Sequence, residues 1–173
     1  STASGGAFYY NSGSLLLTDN VFLNNTATAN GGGFFHNTGD LTSSQNIFTN
    51  NKSTSNSGGA FYHGSGILTV SLDTFTNNFS GASGAGFYHN TGNLSITKSR
   101  FERDSANVHG GGFYHNSGEI TITENSFVDN RANNSGAGFM SSNGKMLLSE
   151  NTFTGNKAVS NGGAAIISAG ELT

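Results

Sequence analysis

Apolar residues return along this chain in three short phrases, separated by Gly, Asn, Ser and Thr. The first phrase is aromatic: Phe8-Tyr9-Tyr10, Phe34-Phe35-His36, Phe61-Tyr62-His63, Phe87-Tyr88-His89 and Phe113-Tyr114-His115, with Phe139 and Ala165 heading two weaker copies. The second alternates. Leu15/Leu17, Leu68/Val70, Leu94/Ile96, Ile120/Ile122 and Met146/Leu148 are apolar, and mostly Thr or Ser stands between and after them. The third carries Phe22, Phe48, Phe75, Phe101, Phe127 and Phe153, followed three residues later by Asn25, Asn51, Asn78, Asp104, Asn130 and Asn156. Alternation with period two marks a strand with one buried face. Recurrent glycine argues against helix. Each repeat is expected to hold three short strands, FYH, LxI and NxF.

The phrases keep a common step. Copies of the aromatic phrase open at Gly5, Gly31, Gly58, Gly84, Gly110, Gly136 and Gly162, at offsets of 26, 27, 26, 26, 26 and 26. The extra residue falls between Asn51 and Gly58, in a Ser/Thr/Asn/Gly stretch, and turns absorb insertions. A fixed period of this length indicates a solenoid. The expected fold is an all-β, single-stranded, right-handed parallel β-helix spanning residues 1–173 as one domain, with one repeat per rung. Strands stacked about 4.8 Å apart would make a rod of roughly 30 Å. Charge columns agree with that register: Lys98 under Glu124, Arg103 under Asp129, and Glu119, Lys145 and Glu171 in alternating sign.

The constant column Phe8, Phe34, Phe61, Phe87, Phe113 and Phe139 is placed inside, with the Leu/Ile/Val columns and the Phe22 column. The Asn25 column is read as an internal amide ladder at a bend, each side chain bonding one rung away. Asp104 interrupts it. A buried carboxylate needs partners, and Arg103 or Arg131 is the expected source. With Phe inside, Tyr9, Phe35, Tyr62, Tyr88, Tyr114, Met140 and Ile166 face out as one stripe, the candidate contact surface; the alternative phase has Tyr inside and Phe outside.

Composition narrows the chemistry. The chain has 173 residues, 26 of them Gly, with no Cys, Pro or Trp, 10% charged residues and a formal net charge of −3. This argues against a basic nucleic-acid binder and against disulfide or thiolate chemistry. No apolar run reaches the roughly 20 residues of a spanning helix, so membrane insertion is not expected. Ser1-Thr2-Ala3-Ser4-Gly5 does not read as a signal peptide. His36, His63, His89 and His115 share one column, but a linear stack does not close a tetrahedron around one ion. They are read as hydrogen-bonded imidazoles, with no metal or other cofactor. His109 is placed in a different turn, exposed. Glu102, Arg103, Asp104, Asp129 and Arg131 form the one charged cluster and are read as ion pairs, not as catalytic groups. Glycosylation sequons stand at Asn24, Asn51, Asn78, Asn93 and Asn133. Asn24, Asn93 and Asn133 are the candidate acceptors, since Asn51 and Asn78 lie in the inward column.

The paired phrases, GGAF at 5–8 and 58–61 with FLNN, FTNN, FTNN, FVDN and FTGN from Phe22, Phe48, Phe75, Phe127 and Phe153, resemble the repeats of polymorphic outer-membrane proteins. They also resemble GGGIYN-type repeats of large secreted bacterial β-helix proteins. The resemblance spans nearly the whole chain and implies surface display and adhesion. Two features depart from it: Phe replaces the usual aliphatic residue after GGA, and no barrel-like segment is present. The chain opens in a turn and stops within a second strand, which suggests an excerpt of a longer repeat protein. The expected function is a non-enzymatic extracellular structural or adhesive solenoid at the cell surface. Its expected partners are sister rods in a fibre, or a host-surface or glycan partner. One alternative is ice binding, because Thr42/Ser44, Thr69/Ser71, Ser95/Thr97 and Thr121/Thr123 resemble the flat array of β-solenoid antifreeze proteins, although Leu16 and Leu147 break it. A third reading is a polysaccharide-processing β-helix like the pectate lyases and polygalacturonases.

Overall fold

The computed structural model describes residues 1, 3–170 and 172. Glu171 of the charge column, and Thr2 and Thr173 near the chain ends, lie outside the described residues. The described residues form strands and turns without a helix, so none is long and apolar enough to cross a membrane. The strands make four sheets, one of seven strands and three of six. Each strand pairs in parallel with its equivalents in the repeats before and after, as Phe87–Thr91 does with Phe61–Ser65 and Phe113–Ser117. The chain is therefore an all-β parallel solenoid of about six turns.

One turn shows the local logic. It runs through Phe87–Thr91, Leu94–Thr97, Arg100–Glu102 and Ser105–Ala106. That is four strands where three were expected. The additional one has two residues, too few for alternation to register. The register confirms the period and locates the insertion. Ala27 faces Ser53, a step of 26, and Phe34 faces Phe61, a step of 27, so the extra residue lies in the turn between.

Each turn bends twice at a residue in the left-handed region followed by an inward polar side chain. In the Leu94–Ala106 turn these are Lys98 (φ 50°) before Ser99, and Arg103 (φ 53°) before Asp104. Asn and Asp tolerate this conformation best, and Asp19, Asn24, Asn50 and Asn77 hold it elsewhere. The glycine that opens each aromatic phrase has a second reason. At Gly84 (φ +68°) a Cβ would lie 2.2 Å from the Phe87 carbonyl oxygen.

The core is two interleaved columns of phenyl rings. Phe8 through Phe139 stack with centroids 4.8–5.0 Å apart and ring planes within 13°. Phe22 through Phe153 stack at 4.6–4.9 Å within 8°. Strand spacing imposes the stacking. Between the columns the rings meet tilted by 42–54°, midway between stacked and edge-to-face. Nine of the twelve rings, Phe34, Phe48, Phe61, Phe75, Phe87, Phe101, Phe113, Phe127 and Phe139, are fully buried. Leu41, Leu68, Val70, Leu94, Ile96, Ile120 and Ile122 close the other side. Ser43 is the one polar member of that aliphatic column, and it is buried.

Candidate functional site

The Tyr9 column points outward, as the inward phase of Phe8 requires. Its rings stack in parallel at 4.8–5.0 Å, within 11°. Stacking covers the ring faces, and the Tyr114 hydroxyl hydrogen-bonds with Ser142 Oγ at 2.6 Å. The stripe is less open than an outward column suggests: Tyr9 is 54% exposed, Tyr62, Tyr88 and Tyr114 are half-buried, and Phe35 is buried. Burial, with Tyr114 and Tyr62 as neighbours, pushes the Tyr88 phenol up to about 12. Beside the stripe, two residues on, runs an amide row broken at Gly64, where Asn37 donates to Asn11 at 3.2 Å and Asn116 to Asn90 at 3.1 Å. The next sheet presents the Thr/Ser columns. Thr42 and Thr121 are exposed, and Ser71 donates to Ser44 at 3.0 Å. Exposed Leu16 and Leu147 interrupt the array.

Inside, the predicted Asn25 ladder is present. Each amide clasps the bend below it. Asn51 Oδ1 accepts from the Asn25 N–H at 3.2 Å, and Asn51 Nδ2 donates to the Phe22 carbonyl at 2.8 Å. Asn130 and Asn156 repeat the pattern on the Phe101 and Phe127 carbonyls. Asp104 holds the same place, with Oδ1 accepting from Asn78 N–H at 2.7 Å and Asn78 Nδ2 at 2.9 Å. Its Oδ2 is buried without a hydrogen-bond partner. Neither arginine supplies one. Arg103 turns outward to Glu102 and to Asn77, and Arg131 is exposed. Arg103 also forms no ion pair with Asp129, because Glu102 competes for it from the adjacent position. Of the charge columns, Lys98–Glu124 is made, at 3.6 Å and largely exposed. Such a pair adds about 0–1 kcal/mol.

A second ladder went unread in the sequence. Asn20, Asn46, Asp73, Ser99, Asn125 and Asn151 stack at the other bend. Asn46 clasps the Asn20 N–H at 2.9 Å and the Leu17 carbonyl at 2.9 Å. Its signal was the polar residue two before each core Phe, blurred by Asp73 and Ser99. Here the carboxylate is fully partnered. Asp73 Oδ1 accepts from Asn46 N–H at 2.7 Å, and Oδ2 accepts from the Ser43 hydroxyl. That explains the buried serine in the aliphatic column. Burial still raises Asp73 to about 6.

The four stacked histidines are buried as hydrogen-bonded rings. Nε2 donates to a glycine carbonyl in each: His36 to Gly13 at 2.9 Å, His63 to Gly39 at 2.8 Å, His89 to Gly66 at 3.1 Å and His115 to Gly118 at 3.1 Å. Burial lowers His63 to about 4 and His89 to about 3. The unfolded chain takes up these protons below the ordinary value of 6.5, whereas the folded chain does not until about 4 and about 3. His63 and His89 therefore destabilise the fold as pH falls from 6.5. His63→Gln should show this in urea melts. The parent's advantage over the variant shrinks between pH 7 and pH 4.5, and a pH-independent gap would contradict it. His109 stands apart from this column, half-buried rather than exposed, with its ring 6.2 Å from Tyr114.

The sequons separate as expected by exposure. Asn24, Asn93 and Asn133 are exposed, and Asn51 and Asn78 are buried in the ladder. In a glycosylating host, glycopeptide mapping should find glycan on the first three only.

The charged cluster is divided by the wall: Glu102 and Arg103 lie on the outer surface and Asp104 inside. Among the described residues no three His, Cys, Asp or Glu side chains form a metal-ligating group. These features define a parallel β-solenoid with polar ladders at its bends. Compared with known proteins, the chain matches no family model, no curated protein and no solved structure.

Proposed function

We propose that this chain is part of a non-enzymatic extracellular structural or adhesive rod at the cell surface, coiled right-handed like nearly all parallel crossovers. The observation that carries the reading is the unbroken outward column Tyr9, Phe35, Tyr62, Tyr88 and Tyr114, repeated at strand spacing beside an amide row. A stiff scaffold that repeats one small contact many times gains avidity from weak individual contacts. The partner is a sister rod in a fibre, or a glycan or host surface that reads phenol and amide groups. The resemblance to the polymorphic outer-membrane protein repeats supports the same reading.

Tyr62→Lys with Tyr88→Lys tests it. Both side chains are half-buried at the surface, so the fold should survive. Self-association by sedimentation, and adhesion to cells or immobilised glycans, should fall by an order of magnitude or more, in keeping with lost avidity. Unchanged association and adhesion would remove the stripe from the account. The Thr42 to Thr123 array leaves ice binding as the second reading. Absence of thermal hysteresis at millimolar protein would dismiss it.

A further inference from the structure

The histidine column and the glycine turns beside it lose their pattern at the same level. His36, His63 and His89 each donate Nε2–H to a glycine carbonyl of the preceding turn, Gly13, Gly39 and Gly66. His115 instead donates to Gly118 in its own turn and tilts by 34° from His89. The column ends above it, at Ser141. The glycines change in step. Gly13, Gly39, Gly66 and Gly92 each donate N–H to the turn above, to Thr38, Ser65, Thr91 and Ser117, at 2.9–3.0 Å. Gly118 and Gly144 make no such bond among the described residues.

Asn143 stands immediately before Gly144, and Asn–Gly is the pair in which a backbone nitrogen most easily reaches the preceding side-chain amide, because glycine has no side chain to obstruct it. The same pair at Asn30–Gly31 is held at both reacting groups. Gly31 N–H donates to the Ser57 carbonyl at 3.0 Å, and Asn30 Oδ1 accepts from Ser57 N–H at 3.1 Å. Asn30 is half-buried, whereas Asn143 is exposed and has no such clasp among the described residues. Asn161–Gly162 is exposed too, but it opens the edge turn of the aromatic sheet. The contrast rests on Asn30 and Asn143, each flanked by turns on both sides.

We propose that Asn143–Gly144 is a self-modifying site, at which the chain deamidates itself to aspartate and isoaspartate with water and hydroxide as its reagents. Hydroxide takes the proton from Gly144 N, and the nitrogen attacks Asn143 Cγ. The N–Cγ bond forms and the Cγ–Nδ2 bond breaks. Nδ2 takes a proton from water and leaves as ammonia, which gives a five-membered succinimide. Water then opens the ring at either carbonyl, to aspartate or to isoaspartate. Either product adds a negative charge at the end of the strand Phe139–Asn143, and isoaspartate also adds a methylene to its backbone. At Asn30 the same reaction first needs both hydrogen bonds to open, so the folded chain holds it back.

The full chain is aged in warm, mildly alkaline buffer and mapped by peptide mass spectrometry, with fragmentation that separates aspartate from isoaspartate. Both products should appear at position 143 faster than at position 30 by about tenfold or more. A parallel sample in concentrated urea should lose that difference, since both pairs are then free. Asn143→Gln should abolish the products at 143 and leave Asn30 as slow as before. An intact Asn143 in the folded chain, equal rates at the two pairs before urea is added, or a difference that persists in urea would overturn the proposal.

Discussion

Phe87→Ala should lower the unfolding free energy by about 3–5 kcal/mol, the cost of emptying a ring-sized space in a close-packed core. Phe87 is fully buried and touches four other rings. Phe61 and Phe113 stack on its faces at 5.0 Å, and Phe75 and Phe101 meet it tilted at 5.8 and 5.9 Å. Collapse cannot refill the space, because strand spacing fixes the rings above and below. Phe8→Ala should cost less, since Phe8 is partly exposed and stacks on one column neighbour, Phe34. Urea melts of both variants check the ranking. Equal costs would mean that the columns are not packed as described.

Asp104→Asn should stabilise the fold, by about 1–3 kcal/mol at pH 7, the scale of one relieved buried polar group. Asn51, Asn78, Asn130 and Asn156 each donate Nδ2–H to a carbonyl of the preceding turn. By register that carbonyl is Phe75's for Asp104, and the buried Oδ2 has no proton to give it while ionised. Desolvation raises this carboxyl well above its ordinary 3.8. The hydrogen bonds from Asn78 oppose that rise, and of the charges across the wall Glu102 raises it and Arg103 lowers it. Above pH 3.8 the unfolded chain releases the proton and the folded chain keeps it, so stability falls as pH rises from there. The advantage of the asparagine variant should therefore be small below pH 3.8 and grow towards neutrality. A constant advantage, or a loss, would show that Asp104 is satisfied as an anion.

The legible part of the fold was whatever repeats with one residue type. Phe at six successive positions fixed the period, the inward face and the parallel register. Asn25, Asn51 and Asn78 gave the first ladder for the same reason. The second ladder was harder because Asp73 and Ser99 replace the amide in adjacent turns, and their compensation lies elsewhere: Ser43 answers Asp73 from another column. Such a pair becomes visible only once turns are stacked. The fourth strand was hidden by its length. Exposure of the aromatic stripe was overstated, because a residue pointing outward is still covered by its column neighbours, as Phe35 is by Tyr9 and Tyr62. The ring tilt at His115 depends on which carbonyl its Nε2 selects, and residue order does not encode that choice openly.

The vertical register is tested most directly by cross-linking, since the chain has no cysteine of its own. Thr69 and Ser95 are outward partners on adjacent strands. Thr69 and Thr121 are two strands apart. Cysteines on neighbouring parallel strands lie about 5 Å apart and within disulfide reach, whereas a separation of about 10 Å is outside it. Under mild oxidation the Thr69→Cys/Ser95→Cys chain should close an intramolecular disulfide, and the Thr69→Cys/Thr121→Cys chain should not. Closure of the second pair, or failure of the first in a folded chain, would contradict the solenoid register.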